Sequence, residues 1–113
     1  ALERMTNGQM IYMEKVYRET YLTAHPEYRS YHKLFEVHHR IPQDVLTRYP
    51  ELFSHREIHD ASNLVGIARD TKAHEPIKKL WENYFKTHRQ PSRNDIIDFA
   101  SNIDAAEKRH YLP

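Results

Sequence analysis

The stretch LFEVHHRIPQ, residues 34–43, ends a short apolar run on two adjacent histidines, His38 and His39, before Pro42 turns the chain. Its aromatic and β-branched residues predict a β-strand over residues 33–39. Neighbouring side chains on a strand point to opposite faces, so the two histidines cannot easily chelate one ion together. The spacing instead favours two roles, in which one histidine binds a metal and the other acts on water or substrate beside it.

A second strand is predicted downstream at NLVGI, residues 63–67, where Gly66 indicates a bulge or a close backbone approach. Residues 41–62, which separate the strands, predict one short helix around residues 43–49 and otherwise a long loop, because a proline and a polar run follow that helix. Loops of this length inside compact domains are often functional.

Three helices are predicted around these strands. HEPIKKLWENYFKTH, residues 74–88, has the clearest helical period, and a capping box of Ser92 and Asp95 opens another helix in residues 90–103. Residues 9–22 predict an amphipathic helix that ends before the proline four residues beyond. The residues assigned to the apolar faces are Met10, Met13, Val16 and Tyr17 in the first helix, Ile77, Leu80, Trp81, Tyr84 and Phe85 in the second, and Ile96, Phe99, Ala100 and Ile103 in the third.

Length and composition indicate one globular, mainly helical domain of the α+β class. The chain has 113 residues, of which 39% are hydrophobic and 29% charged, with two glycines. No apolar stretch approaches the ~18 residues that a membrane span needs, and no signal-peptide core appears at the N-terminus. Because the chain begins at Ala1 without an initiator methionine, we expect a fragment of something longer.

Cysteine is absent, whereas histidine occurs nine times. The absence of cysteine excludes disulfides, thiolate zinc sites and cysteine nucleophiles, and leaves His, Asp, Glu and Asn as metal ligands. The net charge of +1 with neutral histidines gives no overall basic excess of the kind that marks a nucleic-acid binder. Histidine, with a pKa of ~6.5, can serve as a ligand or a base near neutral pH.

EVHHRIP, the following loop, HDASNLVGI and a helix that carries His74 together resemble the HNH/endonuclease VII superfamily, the His-Me finger or ββα-metal nucleases. The similarity covers about residues 34–90. Within the superfamily, the segment most resembles nuclease domains at the C-termini of bacterial polymorphic toxins, such as contact-dependent and type VI effectors. It implies an antiparallel two-stranded ββα-metal core over residues 33–90, between an N-terminal helical segment (1–32) and a C-terminal helix (91–113).

The resemblance also implies a role for each matching residue. His38 corresponds to a metal ligand and His39 to the general base that deprotonates the attacking water. Asn63 corresponds to the superfamily asparagine, which either orients the base through the loop backbone or contributes to the metal site. His74 corresponds to the metal-binding histidine at the head of the helix.

One position departs from the superfamily pattern. Nuclease colicins carry a further histidine one turn after the helix histidine, and here that position is Lys78. The third ligand therefore stays open between His59, Glu36, Glu75 and water. Members of the endonuclease VII branch have fewer protein ligands.

These roles together predict a metal-dependent endonuclease that hydrolyses phosphodiester bonds, with DNA favoured over RNA and little sequence specificity. The cofactor would be Mg²⁺ or a transition ion such as Zn²⁺, Ni²⁺ or Mn²⁺, since imidazole favours transition metals and phosphoryl chemistry often uses Mg²⁺. Arg40, Lys78 and Lys79 are candidate phosphate contacts. The alternative interpretation is that each is a charged side chain exposed to solvent, with no role in binding. His25, His32, His55, His88 and His110 are interpreted as solvated or capping residues.

The toxin resemblance implies delivery or secretion within a larger bacterial protein, action in the target-cell cytoplasm, and a cognate immunity protein in the producing cell. That partner should be acidic if it covers the DNA-binding face. Two alternatives remain: a non-catalytic histidine-rich domain with a structural metal, and a helical protein-interaction module. The first would cut no nucleic acid and would unfold on chelation, and in the second the histidines would be incidental.

Overall fold

The structure, a computed structural model, describes the backbone of residues 7–113 and the side chains of residues 15–113. Within these residues, α-helices and one two-stranded sheet are joined by short 3₁₀ turns. The helices and strands are, in chain order, α1 (Asn7–Ala24), β1 (Phe35–His39), α2 (Val45–Arg48), α3 (His55–His59), β2 (Leu64–Ala68), α4 (His74–Thr87) and α5 (Arg93–Glu107). This order confirms the predicted α+β class, mainly helical with a small antiparallel sheet.

The two strands form an antiparallel hairpin whose faces pack on different parts of the protein. One face, which carries Phe35 and Leu64, packs against the second half of α1. The opposite face, which carries Ile67, joins the main core. Because side chains alternate along β1, His39 faces α1 and His38 faces α4.

Gly66 allows close approach of the C-terminal residues to β2. It pairs with Val37 in a register that runs without a bulge, so of the two predicted alternatives the close approach is the one observed. A Cβ at this position would lie 2.6 Å from the Leu112 side chain and 2.8 Å from the Tyr21 hydroxyl. Leu112 also donates a 2.8 Å backbone hydrogen bond to the Gly66 carbonyl, so the chain end pairs with the free edge of β2.

The main core lies between α2, α3, α4, α5 and β2, and most of it comes from the predicted apolar faces of α4 and α5. Helix α5 begins with the predicted capping box, in which Ser92 and Asp95 bond to each other's backbone N–H groups. The buried members from the two helices are Ile77, Trp81, Tyr84, Phe85, Ile96, Ala100 and Ile103. Phe99 is partly buried and stacks on Tyr84 with ring centroids 4.3 Å apart.

Two residues predicted on apolar faces are instead exposed. Leu80 on α4 is 45% exposed and Val16 on α1 is 40% exposed. Both lie at the margin of a helical stripe, where a helix covered on one side by its core leaves the flanking positions in solvent. The predicted Met10 and Met13 contacts lie outside the described side chains.

The segment between the strands contains more helix than predicted. The short helix expected around residues 43–49 is α2, but the supposed loop after it contains α3. Ser54 and Glu57 form a capping box at the start of α3, and this pair is a local signal that the polar composition concealed. At the N-terminal end, α1 ends before Pro26, as predicted.

No helix in the described residues 7–113 combines the length and apolar character needed to cross a membrane.

Candidate metal and catalytic site

His38 on β1 and His74, the first residue of α4, meet at the centre of the predicted site. The Nε2 atom of His38 contacts the Nδ1 atom of His74, and the ring centroids lie 4.3 Å apart at an interplanar angle of 74°. A 3₁₀ turn (Arg69–Thr71) and Lys72, with φ of 54°, reverse the chain after β2 and place the start of α4 beside β1. The fold therefore brings together the two residues predicted as metal ligands, although they are 36 positions apart.

His39 contacts a different set of side chains. Its Nε2 lies 3.2 Å from Nδ1 of His59 on α3, and the Tyr17 ring packs edge-on against it with centroids 4.6 Å apart. The side chain is 8% exposed. The predicted division of the pair between two faces of the strand is therefore confirmed by their partners, His74 for His38 and His59 for His39.

A cavity of about 250 Å³ nevertheless borders both histidines, because His39 is the last residue of β1 and the chain turns away after it. The wall of this cavity also includes His74, Tyr17 and Lys78. One small volume therefore adjoins the two facing imidazoles and the predicted base. A phosphodiester and a water molecule would need such a space to react together.

Burial keeps His38 and His39 neutral near pH 7. Desolvation is the larger cause and repulsion from His74 the smaller one that together lower the pKa of His38 to about 4. Desolvation is also the main cause that lowers the pKa of His39 to about 3, and repulsion from His59 and His38 adds to it. Burial also lowers the pKa of His59. Neutral imidazoles can ligate a metal or accept a proton, whereas imidazolium cannot.

Asn63 is buried, with 7% of its surface exposed, and its side chain bonds entirely to backbone groups. Its amide nitrogen donates to the carbonyls of Ile58 (2.8 Å) and Ile41 (3.0 Å), and its oxygen accepts from the Ile41 N–H (2.9 Å). The Asn63 carbonyl accepts from the Arg40 N–H at 2.8 Å. These contacts join the segment after His39 to the end of α3, which favours the orienting role over a metal-binding one.

The candidates for a third ligand do not join the His38–His74 pair. His59 faces His39, and Glu36 accepts a 2.8 Å bond from Arg69. Among side chains 15–113, no group of three or more His, Cys, Asp or Glu residues is arranged to hold a metal ion. Imidazole nitrogens are common ligands of divalent transition ions, and His38 and His74 are the residues here that would supply them.

The predicted phosphate contacts differ in their surroundings. Lys78 and Lys79 are both exposed on α4, but only Lys78 borders the cavity at the histidines. Arg40 is half-buried and its Nε donates a 2.7 Å bond to Asp104 on α5. Because Asp104 also accepts a 2.9 Å bond from the Tyr111 hydroxyl, Arg40 belongs to an internal network that ties the end of β1 to the C-terminal residues.

Two further arginines lie beside the His38–His74 pair and had not been singled out from the sequence. Arg18 and Arg69 border a second cavity, of about 280 Å³, on another side of the same pair. Arg18 bonds to the Phe35 carbonyl at 3.3 Å, and Arg69 bonds to the Lys33 carbonyl at 3.1 Å. Neither belongs to a recognisable motif, so only the fold reveals their position at this site, where Arg69 is also paired with Glu36 at 2.8 Å.

Three of the histidines interpreted as solvated or capping residues make local contacts, whereas the exposed His55 lies with its ring centroid 6.3 Å from that of His59. His32 bonds to the Arg29 carbonyl at 2.9 Å and His88 to the Tyr84 carbonyl at 3.0 Å. His110 lies 3.7 Å from a Glu107 carboxylate oxygen. Such local contacts fit the capping interpretation.

Comparisons of this chain with protein-family models, with curated proteins and with solved structures find no significant match.

Proposed function

We propose that this chain is a metal-dependent endonuclease that hydrolyses phosphodiester bonds, with DNA as the favoured substrate and little sequence specificity. One observation carries the proposal: two facing imidazole nitrogens, those of His38 and His74, border the same cavity as the buried, neutral His39. The residue types match the ligand and base roles that the HNH resemblance implies. The hairpin followed by a helix also matches the ββα arrangement of that superfamily in outline.

In this proposal His38 and His74 hold a divalent metal ion. Mg²⁺, Zn²⁺, Ni²⁺ or Mn²⁺ bound there would neutralise the scissile phosphate and stabilise the charge that develops on the leaving oxygen. His39 takes a proton from the attacking water, a role worth roughly 10²–10⁴ in rate for a base whose pKa lies near the working pH. Burial lowers the pKa of His39 well below that range, so its contribution is expected at the lower end. Asn63 joins the segment after the base to the end of α3.

Positive side chains at the two cavities support binding of a polyanion. Lys78 borders the first cavity beside Asp44 and Glu82, and Arg18 and Arg69 border the second beside Glu36. Lysine and arginine contacts to phosphate supply most of the sequence-independent affinity for nucleic acid. We assign substrate positioning to Lys78 and Arg18. Arg40 and Arg69 are assigned to ion pairs within the protein, with Asp104 and Glu36, because each guanidinium already has a carboxylate partner.

We further propose that the nuclease acts as an antibacterial toxin domain, delivered as part of a larger bacterial protein into the cytoplasm of a target cell. The support for this step is the resemblance of the EVHHRIP and HDASNLVGI segments to polymorphic-toxin nucleases. A producing cell would then need an immunity protein. An acidic protein surface would suit an inhibitor that covers Lys78 and Arg18.

Plasmid cleavage tests the proposal directly. The purified protein is incubated with supercoiled plasmid and Mg²⁺, Mn²⁺, Ni²⁺ or Zn²⁺ added singly, with EDTA as the metal-free control. We expect nicking that depends on metal and falls roughly 10²-fold in His39→Gln. His88→Gln, at an exposed histidine remote from the cavity, is the matched control and should cut at the rate of the unmodified protein.

Metal binding is measured separately by calorimetry with Zn²⁺ or Ni²⁺. His38→Ala and His74→Ala should each lose binding, whereas His39→Gln should keep it. A folded protein that cuts neither DNA nor RNA with any of the four metals would overturn the nuclease proposal. If EDTA unfolds that inactive protein, the structural-metal alternative accounts for the histidine pair instead.

A further inference from the structure

The side chain of His59 is directed at the predicted base, and the residues around His59 hold it in place. Ile58 is 1% exposed, and its carbonyl accepts a 2.8 Å bond from Asn63. Asp60 accepts bonds from the backbone and hydroxyl of Ser62. The chain is therefore held on both sides of His59, and Nδ1 of His59 lies 3.2 Å from Nε2 of His39.

We infer that His59 is a positioning residue for the base, and that it fixes the tautomer and orientation of His39 by accepting a hydrogen bond from the His39 Nε2–H. The inference rests on the proposed nuclease function and assigns to His59 a task within it. In this role His59 is not a metal ligand, although the sequence left it as one candidate for the third ligand.

The direction of the hydrogen bond follows from what a base requires. A neutral imidazole has one N–H group and one nitrogen lone pair. If Nε2 of His39 carries the hydrogen and donates it to His59, Nδ1 keeps its lone pair for a proton from water. In the reverse arrangement Nδ1 would carry the hydrogen and Nε2 would accept from His59, so His39 would have no lone pair to use.

The same contact persists through the proton transfer. When Nδ1 of His39 accepts the proton of water, hydroxide is released to attack phosphorus and His39 becomes imidazolium with Nε2–H unchanged. The N–H group that donates to His59 is therefore present before and after the step, so the ring of His39 keeps one orientation.

The other nitrogen of His59 gives independent support for a functional role. Its Nε2 is buried and has no hydrogen-bond partner within the described part of the chain. An unpaired buried polar atom costs free energy that an apolar side chain of similar size would avoid. A histidine at this position is consequently poorly suited to packing alone, and its one engaged nitrogen is the one that faces His39.

Two substitutions at His59 separate hydrogen bonding from bulk. His59→Asn keeps an oxygen acceptor near the position of Nδ1, whereas His59→Leu removes it. His88→Leu, at an exposed histidine that does not border the cavity, is the matched control. In the plasmid assay we expect His59→Leu to lower kcat roughly 10- to 100-fold with little change in KM for DNA. His59→Asn should recover most of the loss, and His88→Leu should leave the rate unchanged.

A second measurement does not depend on activity. Long-range ¹H–¹⁵N NMR spectra of the metal-free protein in EDTA report which ring nitrogen of His39 carries the hydrogen. We expect the Nε2–H tautomer in the unmodified protein and in His59→Asn, and a mixture of tautomers in His59→Leu. An Nδ1–H tautomer in the unmodified protein would overturn the inference.

The outcomes distinguish this inference from the proposed function. If His39→Gln abolishes metal-dependent cleavage but His59→Leu cuts normally, the nuclease stands and the role of His59 is refuted. If His59→Leu loses Zn²⁺ binding in calorimetry, His59 is a metal ligand and the positioning role is likewise refuted. If His39→Gln cuts normally, the base assignment in the proposed function fails, whatever His59 does.

Discussion

At the scale of single residues, Asn63 offers the sharpest test of how the site is held together. Its side chain satisfies three backbone groups, the N–H and carbonyl of Ile41 and the carbonyl of Ile58. Asn63→Ala would leave these groups without their side-chain partner, although two of the three bonds are only partly buried. Each such loss costs ~1–3 kcal/mol, so we expect the free energy of unfolding to fall by about 2–4 kcal/mol in urea titrations.

Asn102→Ala is the control for that substitution, because Asn102 is exposed on α5 and its change should stay within about 0.5 kcal/mol. Hydrogen exchange supplies a local measurement, since the Ile41 amide should exchange faster in Asn63→Ala than in Asn102→Ala. Equal stability of the two variants would show that the three bonds contribute little, and the orienting role of Asn63 would lose its basis.

Lys78 and Lys79 form a natural pair for testing the phosphate contacts. Both are exposed lysines on α4, so either substitution removes one positive charge from the same helix. Only Lys78 borders the cavity with His38 and His74. If the cavity receives a nucleic-acid phosphate, Lys78→Ala should weaken DNA binding several-fold more than Lys79→Ala and reduce the salt dependence of binding by about one counterion.

Fluorescence titration of labelled duplex DNA at several salt concentrations, in EDTA, measures this difference without any cleavage. Equal losses from Lys78→Ala and Lys79→Ala would mean that the helix contributes only diffuse positive charge, and the placement of a phosphate in the cavity would fail.

At the scale of secondary structure, the hairpin depends on one small residue. The Leu112 side chain and the Tyr21 hydroxyl both approach Gly66 closely, from the chain end and from α1. Gly66→Ala would overlap both groups, and overpacking of this kind costs ~1–3 kcal/mol. We expect a lower unfolding midpoint in urea and faster hydrogen exchange at the Leu112 amide, which bonds to the Gly66 carbonyl.

The double variant Gly66→Ala, Leu112→Ala tests the cause. Removal of the flexible Leu112 side chain should relieve part of the clash. The double variant should therefore lose less free energy of unfolding than the two single variants lose when their losses are added. Because the Tyr21 hydroxyl stays in place, the recovery should be partial. Strict additivity would show that the alanine methyl group does not meet Leu112.

The secondary structure could be predicted from the sequence where local signals agree. In the two strands and in α4, the spacing and type of apolar residues fit the observed structure, and residues that disfavour it lie at their ends. The Ser92–Asp95 capping box correctly marks the start of α5. Helix α3 was missed because its polar, histidine-rich composition suggested a loop, although Ser54 and Glu57 carry the same capping-box spacing. The capping geometry was the stronger signal, and composition was given too much weight.

At the scale of the whole molecule, the site depends on contacts between distant parts of the chain. The order of His38 and His74 along the chain suggested that they meet, because a hairpin followed by a helix brings them together. No local pattern could indicate that His59 would face His39, or that Arg18 would lie beside the pair. Those contacts depend on how α1 and α3 pack on the hairpin, and side-chain period does not encode that packing.

Burial of several histidines should make the entire fold sensitive to mild acid. An unfolded histidine has a pKa near 6.5, whereas the folded pKa values of His38 and His39 are lowered to about 4 and about 3. Between pH 6.5 and about 4 the unfolded chain therefore binds protons that the folded protein does not. Stability falls as the pH falls, by about 1.4 kcal/mol per pH unit for each histidine once the unfolded group is protonated.

The pH range from 6.0 to 5.0 isolates this effect. Glu19 and Asp95 also have lowered pKa values, through hydrogen bonds with Arg29 and Ser92, but their contribution is lost only below the usual carboxylate range near 4. Urea titrations in EDTA should give a free energy of unfolding about 2–3 kcal/mol lower at pH 5.0 than at pH 6.0.

His38→Gln separates this mechanism from a general acid effect. The substitution removes one of the two strongly shifted groups and keeps a polar side chain that can bond to His74. The loss of stability between pH 6.0 and 5.0 should therefore shrink by about half. His88→Gln, at an exposed histidine, should keep the full loss. A slope unchanged in His38→Gln would place the acid sensitivity in other groups and would contradict the burial of a neutral His38 beside His74, on which the metal-ligand assignment depends.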